Sequence, residues 1–144
     1  MRREIKFRGQ TRRKGESIIN MAGDKCEANW VYGGIFPQNN DGDFAIIYEQ
    51  PSCEKRVVYA DTVGQYIGID DKNRNEIYEG DIVRVIEDFE EIYVVEWDKD
   101  IARYVLTQNG TTMCDFGDIY GDDMEVVGNV YENADLLKGV DRNE

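Results

Sequence analysis

Apolar side chains recur along this chain with a period of two, not 3.6, and that alternation restricts most of it to strands. Residues 81–86, 92–97, 103–107 and 124–131 are four such runs at the short spacing of a barrel or sandwich. Val83 and Val85 share one face of their run, and Tyr93, Val95 and Trp97 share one face of the next, so two inward surfaces can be matched. In the first half, residues 5–8 alternate apolar and basic. Residues 30–36 and 44–48 are β-branched and aromatic runs bounded by turn formers, and residues 56–59 add another. Residues 14–29 and 37–43 are loops by composition, and 39–43 (Asn-Asn-Asp-Gly-Asp) form a turn. Only the tail is helical in pattern. Asn133 is the predicted N-cap, Asp135 lies in the favourable first turn, and Gly139 is the predicted stop. The fold class is all-β with one short C-terminal helix.

A chain of 144 residues suffices for one domain, or one plus a small annex. At that size folding buries about 68–70% of the extended surface, enough for a real core. The predicted division is residues 1–64 as a β-rich segment with a basic arm and 65–144 as the barrel portion, the two also being compatible with one continuous domain. Thirty Asp and Glu face seventeen Lys and Arg, with no histidine. The net charge of −13 disfavours bulk nucleic acid and anionic membrane. Seven basic residues (Arg2, Arg3, Lys6, Arg8, Arg12, Arg13, Lys14) against Glu4 alone open the chain, leaving −19 on the remainder. Such an arm either grips phosphate or an acidic partner, or neutralises the acidic body; the lack of an accompanying aromatic platform favours neutralisation. Cys26, Cys53 and Cys114 are widely spaced, without a C-x-x-C pair or a histidine to complete a zinc site, and read as plain, mostly buried thiols. No run approaches the roughly 18 apolar residues of a membrane span, so the predicted location is the cytoplasm.

Residues 65–83 read as a polar turn between two structured segments. They include Asp71-Lys72-Asn73 and Glu76-Ile77-Tyr78-Glu79-Gly80-Asp81. Together with Ile5-Lys6-Phe7-Arg8-Gly9, Trp30-Val31-Tyr32-Gly33, and Gly128-Asn129-Val130-Tyr131-Glu132-Asn133 followed by Leu136-Leu137, they make nearly the whole chain resemble the YopX-like family of phage and prophage proteins. The resemblance implies a small β-rich phage protein with an SH3-like barrel in its C-terminal half, from a family without an established biochemical role. Family members often carry glycine where this chain has Arg74 and proline where it has Ala134. A hairpin turn needs a residue with positive φ, and Asn73 or Asn75 is predicted to supply it. Loss of proline affects only the firmness of the helix start.

Several motifs invite sharper readings. Asp71, Asn73 and Asn75 match positions one, three and five of a calcium loop, but Glu76 and Ile82 stand where that loop needs glycine and a bidentate glutamate, so a hairpin turn is predicted. Asp115-Phe116-Gly117 copies a kinase tripeptide without the rest of the kinase signature. Residues 87–91 and the group Asp115, Asp118, Asp122, Asp123 and Glu125 are acidic clusters, predicted to be solvated hairpin loops that guard strand edges. The glycine-aspartate pair at 80 and 81 reads as the turn that opens a strand.

The function predicted from sequence is a non-catalytic binding or regulatory module in the host cytoplasm. It would engage a host or phage protein, as a homo-oligomer, with no catalytic, cofactor or metal residues assigned. The candidate contact residues are Arg2, Arg3, Lys6 and Arg8 of the arm, and Tyr78, Trp97 and Tyr104 lining an aromatic groove. One alternative is nucleic-acid association through the arm; a variant of the leading reading makes the acidic body a phosphate-mimicking decoy. A third is a metal-dependent enzyme using the acidic cluster from Asp115 to Glu125, the weakest because the commonest general base is missing.

Overall fold

Every alternating run becomes a strand in the computed structural model, which describes residues 4–13, 29–36, 42–86, 91–116 and 123–141. The strands are β1 (Phe7–Gln10), β2 (Trp30–Ile35), β3 (Phe44–Glu49), β4 (Glu54–Tyr59), β5 (Gly64–Asp70), β6 (Glu76–Tyr78), β7 (Asp81–Val85), β8 (Glu91–Asp98), β9 (Arg103–Gln108), β10 (Thr111–Asp115) and β11 (Met124–Asn129). One helix, α1 (Ala134–Asp141), follows them. The chain divides into two compact units, Met1–Tyr66 and Ile67–Glu144, with β5 running through the division.

In the first unit the strands lie in the order β4-β3-β2-β1-β5, paired antiparallel where register is defined between β1 and its two neighbours and along β2-β3-β4. Val31, Ile47 and Val58 form the core, with Phe7, Ala45 and Val63 packed on it. Burial of each such side chain contributes about 1.5–3 kcal/mol. The described part of the basic segment is therefore not a free arm. Phe7 pairs with Gly33 on one side and Gln65 on the other, because its apolar side chain belongs to the core. Cys53 also departs from expectation: it is exposed, in the turn joining β3 and β4, at φ 62 with its N–H donated to the Glu49 carbonyl. The turn predicted at 39–43 lies outside the described residues except for Gly42 and Asp43, as does Cys26.

In the second unit the sheet order is β10-β9-β8-β7-β11, all antiparallel. The predicted matching of faces is present for Val83, which lies opposite Tyr93, and for Val95, which lies opposite Leu106, but Trp97, predicted to share that inward face, is exposed. These four join Ile77, Val85 and Met124 in the core, with Ile67, Ile69, Cys114, Phe116 and Val126 packed around it. Residues 65–83 hold more structure than a polar turn, since β5 and β6 are hydrogen-bonded neighbours flanking a short loop. The helix runs past Gly139 to Asp141. Among the described residues, no helix is long and apolar enough to cross a membrane.

Candidate functional site

The loop between β5 and β6 is organised by one carboxylate. Asp71 is only 1% exposed. Its Oδ1 accepts the N–H groups of Asn73 (2.8 Å) and Asn75 (2.9 Å). Its Oδ2 accepts the N–H of Val126 (2.9 Å) and the side-chain amide of Asn75 (3.5 Å). Burial pushes this carboxyl up, and the N–H groups of Val126, Asn75 and Asn73 outweigh it, holding the group below its ordinary value. Those donors occupy the oxygens that a calcium loop would turn toward an ion. The backbone closes the loop twice more, with Asp71 N–H on the Asn75 carbonyl and Arg74 N–H on the Asp71 carbonyl. Within that frame Arg74 itself takes the positive φ, at 68°, so the expectation that Asn73 or Asn75 would supply it is corrected. The hydrogen bonds that Asp71 makes to 73 and 75 fix the residues on either side and leave the turn to residue 74.

Two further blocks carrying the family resemblance, at residues 78–81 and 128–133, also serve turns. Gly80 (φ 89°) donates its N–H to the Val95 carbonyl and accepts from Val130, while the Asp81 carboxylate accepts the Tyr78 N–H at 2.8 Å. Near the C-terminus, Asn129 Oδ1 accepts the N–H groups of Tyr131 and Glu132, both at 3.0 Å. Asn133 occupies the helix N-cap position, its carbonyl accepting Leu136 N–H. Its side-chain Oδ1 reaches back instead to Asn129 N–H at 3.1 Å. A Cβ at Gly128 would lie 2.6 Å from that oxygen, so the segment closes only around a glycine.

Of the three aromatic candidates, the fold brings two together. Trp97 and Tyr104 face each other across β8 and β9, their rings edge-on at 4.9 Å, and Trp97 is 48% exposed. Tyr78 is 2% exposed, its hydroxyl donating to Glu76 at 2.8 Å, which places it in the interior and away from that surface. Tyr104 also lines a groove of about 350 Å³ with Ile67, Ile69, Phe116, Arg103 and Asp115. Arg103 and Asp115 pair at 2.8 Å on its wall. The groove's other walls were not anticipated, because Ile67 and Ile69 lie in a stretch that reads as a turn and Phe116 in a tripeptide that reads as coincidence.

The described basic candidates are engaged within their own unit. The Arg8 guanidinium lies 4.5 Å from the Trp30 ring centroid and the residue is 6% exposed. Lys6 pairs with Glu4 at 3.3 Å. Arg13 pairs with Asp61 at 3.1 Å and lies 4.0 Å from the Tyr59 ring centroid. Arg2, Arg3 and Lys14 lie outside the described residues, as do residues 87–90, Gly117, Asp118 and Asp122 of the acidic stretches. Of the remaining acidic cluster, Asp115 is held by Arg103, and Glu125 binds Arg84 and accepts from Asn73 at 3.4 Å. The Arg84 guanidinium keeps the Glu125 carboxyl below its ordinary value. Among the described residues, no three histidine, cysteine or acidic side chains gather to hold a metal ion.

A protein-family model described as YopX protein matches residues 22–138. Protein EF1440 from Enterococcus faecalis, known from a crystal structure, is similar to this chain at 20% identity over 94% of this chain and 99% of that one, with a TM-score of 0.48. No curated protein matches.

Proposed function

The chain belongs to the YopX protein family, and from that premise we propose that it is a non-catalytic binding module, working in the host cytoplasm through contacts of its C-terminal unit with a host or phage protein. The observation that carries this reading is the half-exposed Trp97, braced edge-on by Tyr104 beside an apolar groove. A rigid aromatic anchor with a polar handle is the side-chain type that dominates binding energy at protein interfaces, since it buries a large area at small entropic cost. The packing of Arg8 on Trp30 and of Arg13 on Tyr59 and Asp61 supports protein contacts over a grip on phosphate. The acidic residues that remain on the surface favour a basic partner. Affinity capture of the tagged chain from host lysate, with and without nuclease, tests this. A defined protein retained in both conditions by the native chain and lost from Trp97→Ala supports it. Recovery of nucleic acid alone, or of equal partner with both chains, refutes it.

A further inference from the structure

The two tryptophans of this chain stand in opposite electrostatic settings. Residues 1–66 carry ten Lys and Arg against nine Asp and Glu, and there aromatic rings meet cations of their own unit. Arg8 lies over Trp30 at 4.5 Å, Arg13 over Tyr59 at 4.0 Å, and Lys6 stands 6.0 Å from the Tyr66 centroid. Residues 67–144 carry seven Lys and Arg against 21 Asp and Glu. In that unit Trp97 is half-exposed near the end of β8. Its ring meets Tyr104 edge-on, and no cation among the described residues lies over it. The turn that follows sharpens the contrast. Asp98 Oδ1 accepts the Asp100 N–H at 3.0 Å, and among the described residues neither carboxylate is in an ion pair. Arg103, opposite Asp98 across the hairpin, is committed to Asp115 at 2.8 Å, which leaves Lys99 as the one cation of residues 98–102. Ile101, in the same turn, is 46% exposed.

We propose that Trp97 stacks an arginine side chain of the protein partner, the guanidinium lying on the indole with Asp98 and Asp100 supplying the counter-charge and Ile101 adding apolar surface for the stem. This rests on the reading of the C-terminal unit as a protein-binding surface and names the side chain that the surface selects. The face of an indole carries negative potential and attracts a cation, more strongly once the contact is desolvated. Between the two cationic side chains the ring favours arginine, because a guanidinium is planar and weakly hydrated while an ammonium keeps its water. The acidic unit strengthens the attraction at longer range. The same field repels the phosphates of a nucleotide, whose base would otherwise stack on the ring equally well.

The test uses the full chain and three fluorescent dodecapeptides of glycine and serine, carrying three arginines, three lysines or three citrullines. The first two share a charge and differ in the guanidinium; the third keeps the planar group and loses the charge. Anisotropy should show the arginine peptide binding about threefold tighter than the lysine peptide and about tenfold or more tighter than the citrulline peptide. Of the two indole N–H resonances, that of Trp97 should move on titration while that of Trp30 stays in place. Trp97→Ala should remove the preference for arginine over lysine. Asp100→Lys, at an exposed turn position, should weaken both cationic peptides and keep that preference. Equal binding of the arginine and lysine peptides, a preference that survives in Trp97→Ala, an unmoved Trp97 indole, or absence of binding overturns the proposal. Self-association lost in Trp97→Ala would give the ring to a second copy and also overturn it. If the peptides fail while Trp97-dependent capture of a partner persists, guanidinium stacking falls and the binding-module reading stands.

Discussion

Replacing Asp71 by asparagine isolates the charge that holds the β5–β6 loop against β11. The amide oxygen can still accept from Asn73 and Asn75, so the local turn keeps its shape. The NH2 group then occupies the place of Oδ2, where Val126 N–H arrives at 2.9 Å, and two donors face each other. Loss of one hydrogen bond to a charged acceptor costs about 1.5–3 kcal/mol, and the two retained bonds become neutral and weaker, so the variant should lose about 3 kcal/mol at pH 7. Urea unfolding followed by tryptophan fluorescence reads this as a lower midpoint at unchanged slope. Acid provides a second reading. The native carboxyl is held below its ordinary value, so the unfolded chain binds more protons in the window between the two pKa values. The stabilisation is complete above the unfolded pKa and is lost as pH falls through the folded one. The gap between native chain and Asp71→Asn should therefore hold steady down to about pH 5 and close below about pH 4. A loss under about 1 kcal/mol at pH 7, or a gap that widens in acid, would refute the assignment of Asp71 as the tie between loop and sheet.

Arg74→Gly should stabilise the chain by about 0.5–1 kcal/mol, because glycine relieves a side chain held at φ 68° by more than it adds in unfolded-state freedom; thermal melting checks the sign. Gly80→Ala should destabilise by about 1–3 kcal/mol, since φ is 89° and the new methyl would stand 2.9 Å from the Tyr131 ring; urea unfolding measures it. Gly128→Ala should break the hydrogen bond from Asn129 N–H to Asn133, visible as faster amide exchange at 129 with the β7–β8 core still protected.

Where one face of a strand is buried and the other is not, the pattern is easy to read: Val85, Tyr93 and Val95 alternate with more exposed neighbours. Elsewhere the burial that decides the structure is not periodic. Ile82 and Val83 are both fully buried although adjacent, so β7 is covered on both faces. Strand β10 has no signature in the sequence, because Thr111, Thr112 and Met113 are all exposed and leave no alternation. Strand β5 was hidden by Gly64 and Gly68, which lower strand propensity at positions that pairing nevertheless holds. The basic N-terminal stretch shows the same limit in reverse. Its charges suggest an arm, but Phe7 and the strand pairing of its backbone draw it into a sheet, and Arg8 goes with it because Trp30 offers a ring to pack on. For the site, Trp97 and Tyr104 were legible as aromatic candidates, while the burial of Tyr78 depends on long-range packing that local pattern does not encode.

The separation of scaffold from contact surface is tested most directly by measuring unfolding and partner capture together in Trp97→Ala. With its ring half-exposed and clear of the core cluster, the substitution should cost about 1 kcal/mol or less in urea unfolding while removing the captured protein from the eluate. A variant that folds as well as the native chain and still retains the partner would contradict the account.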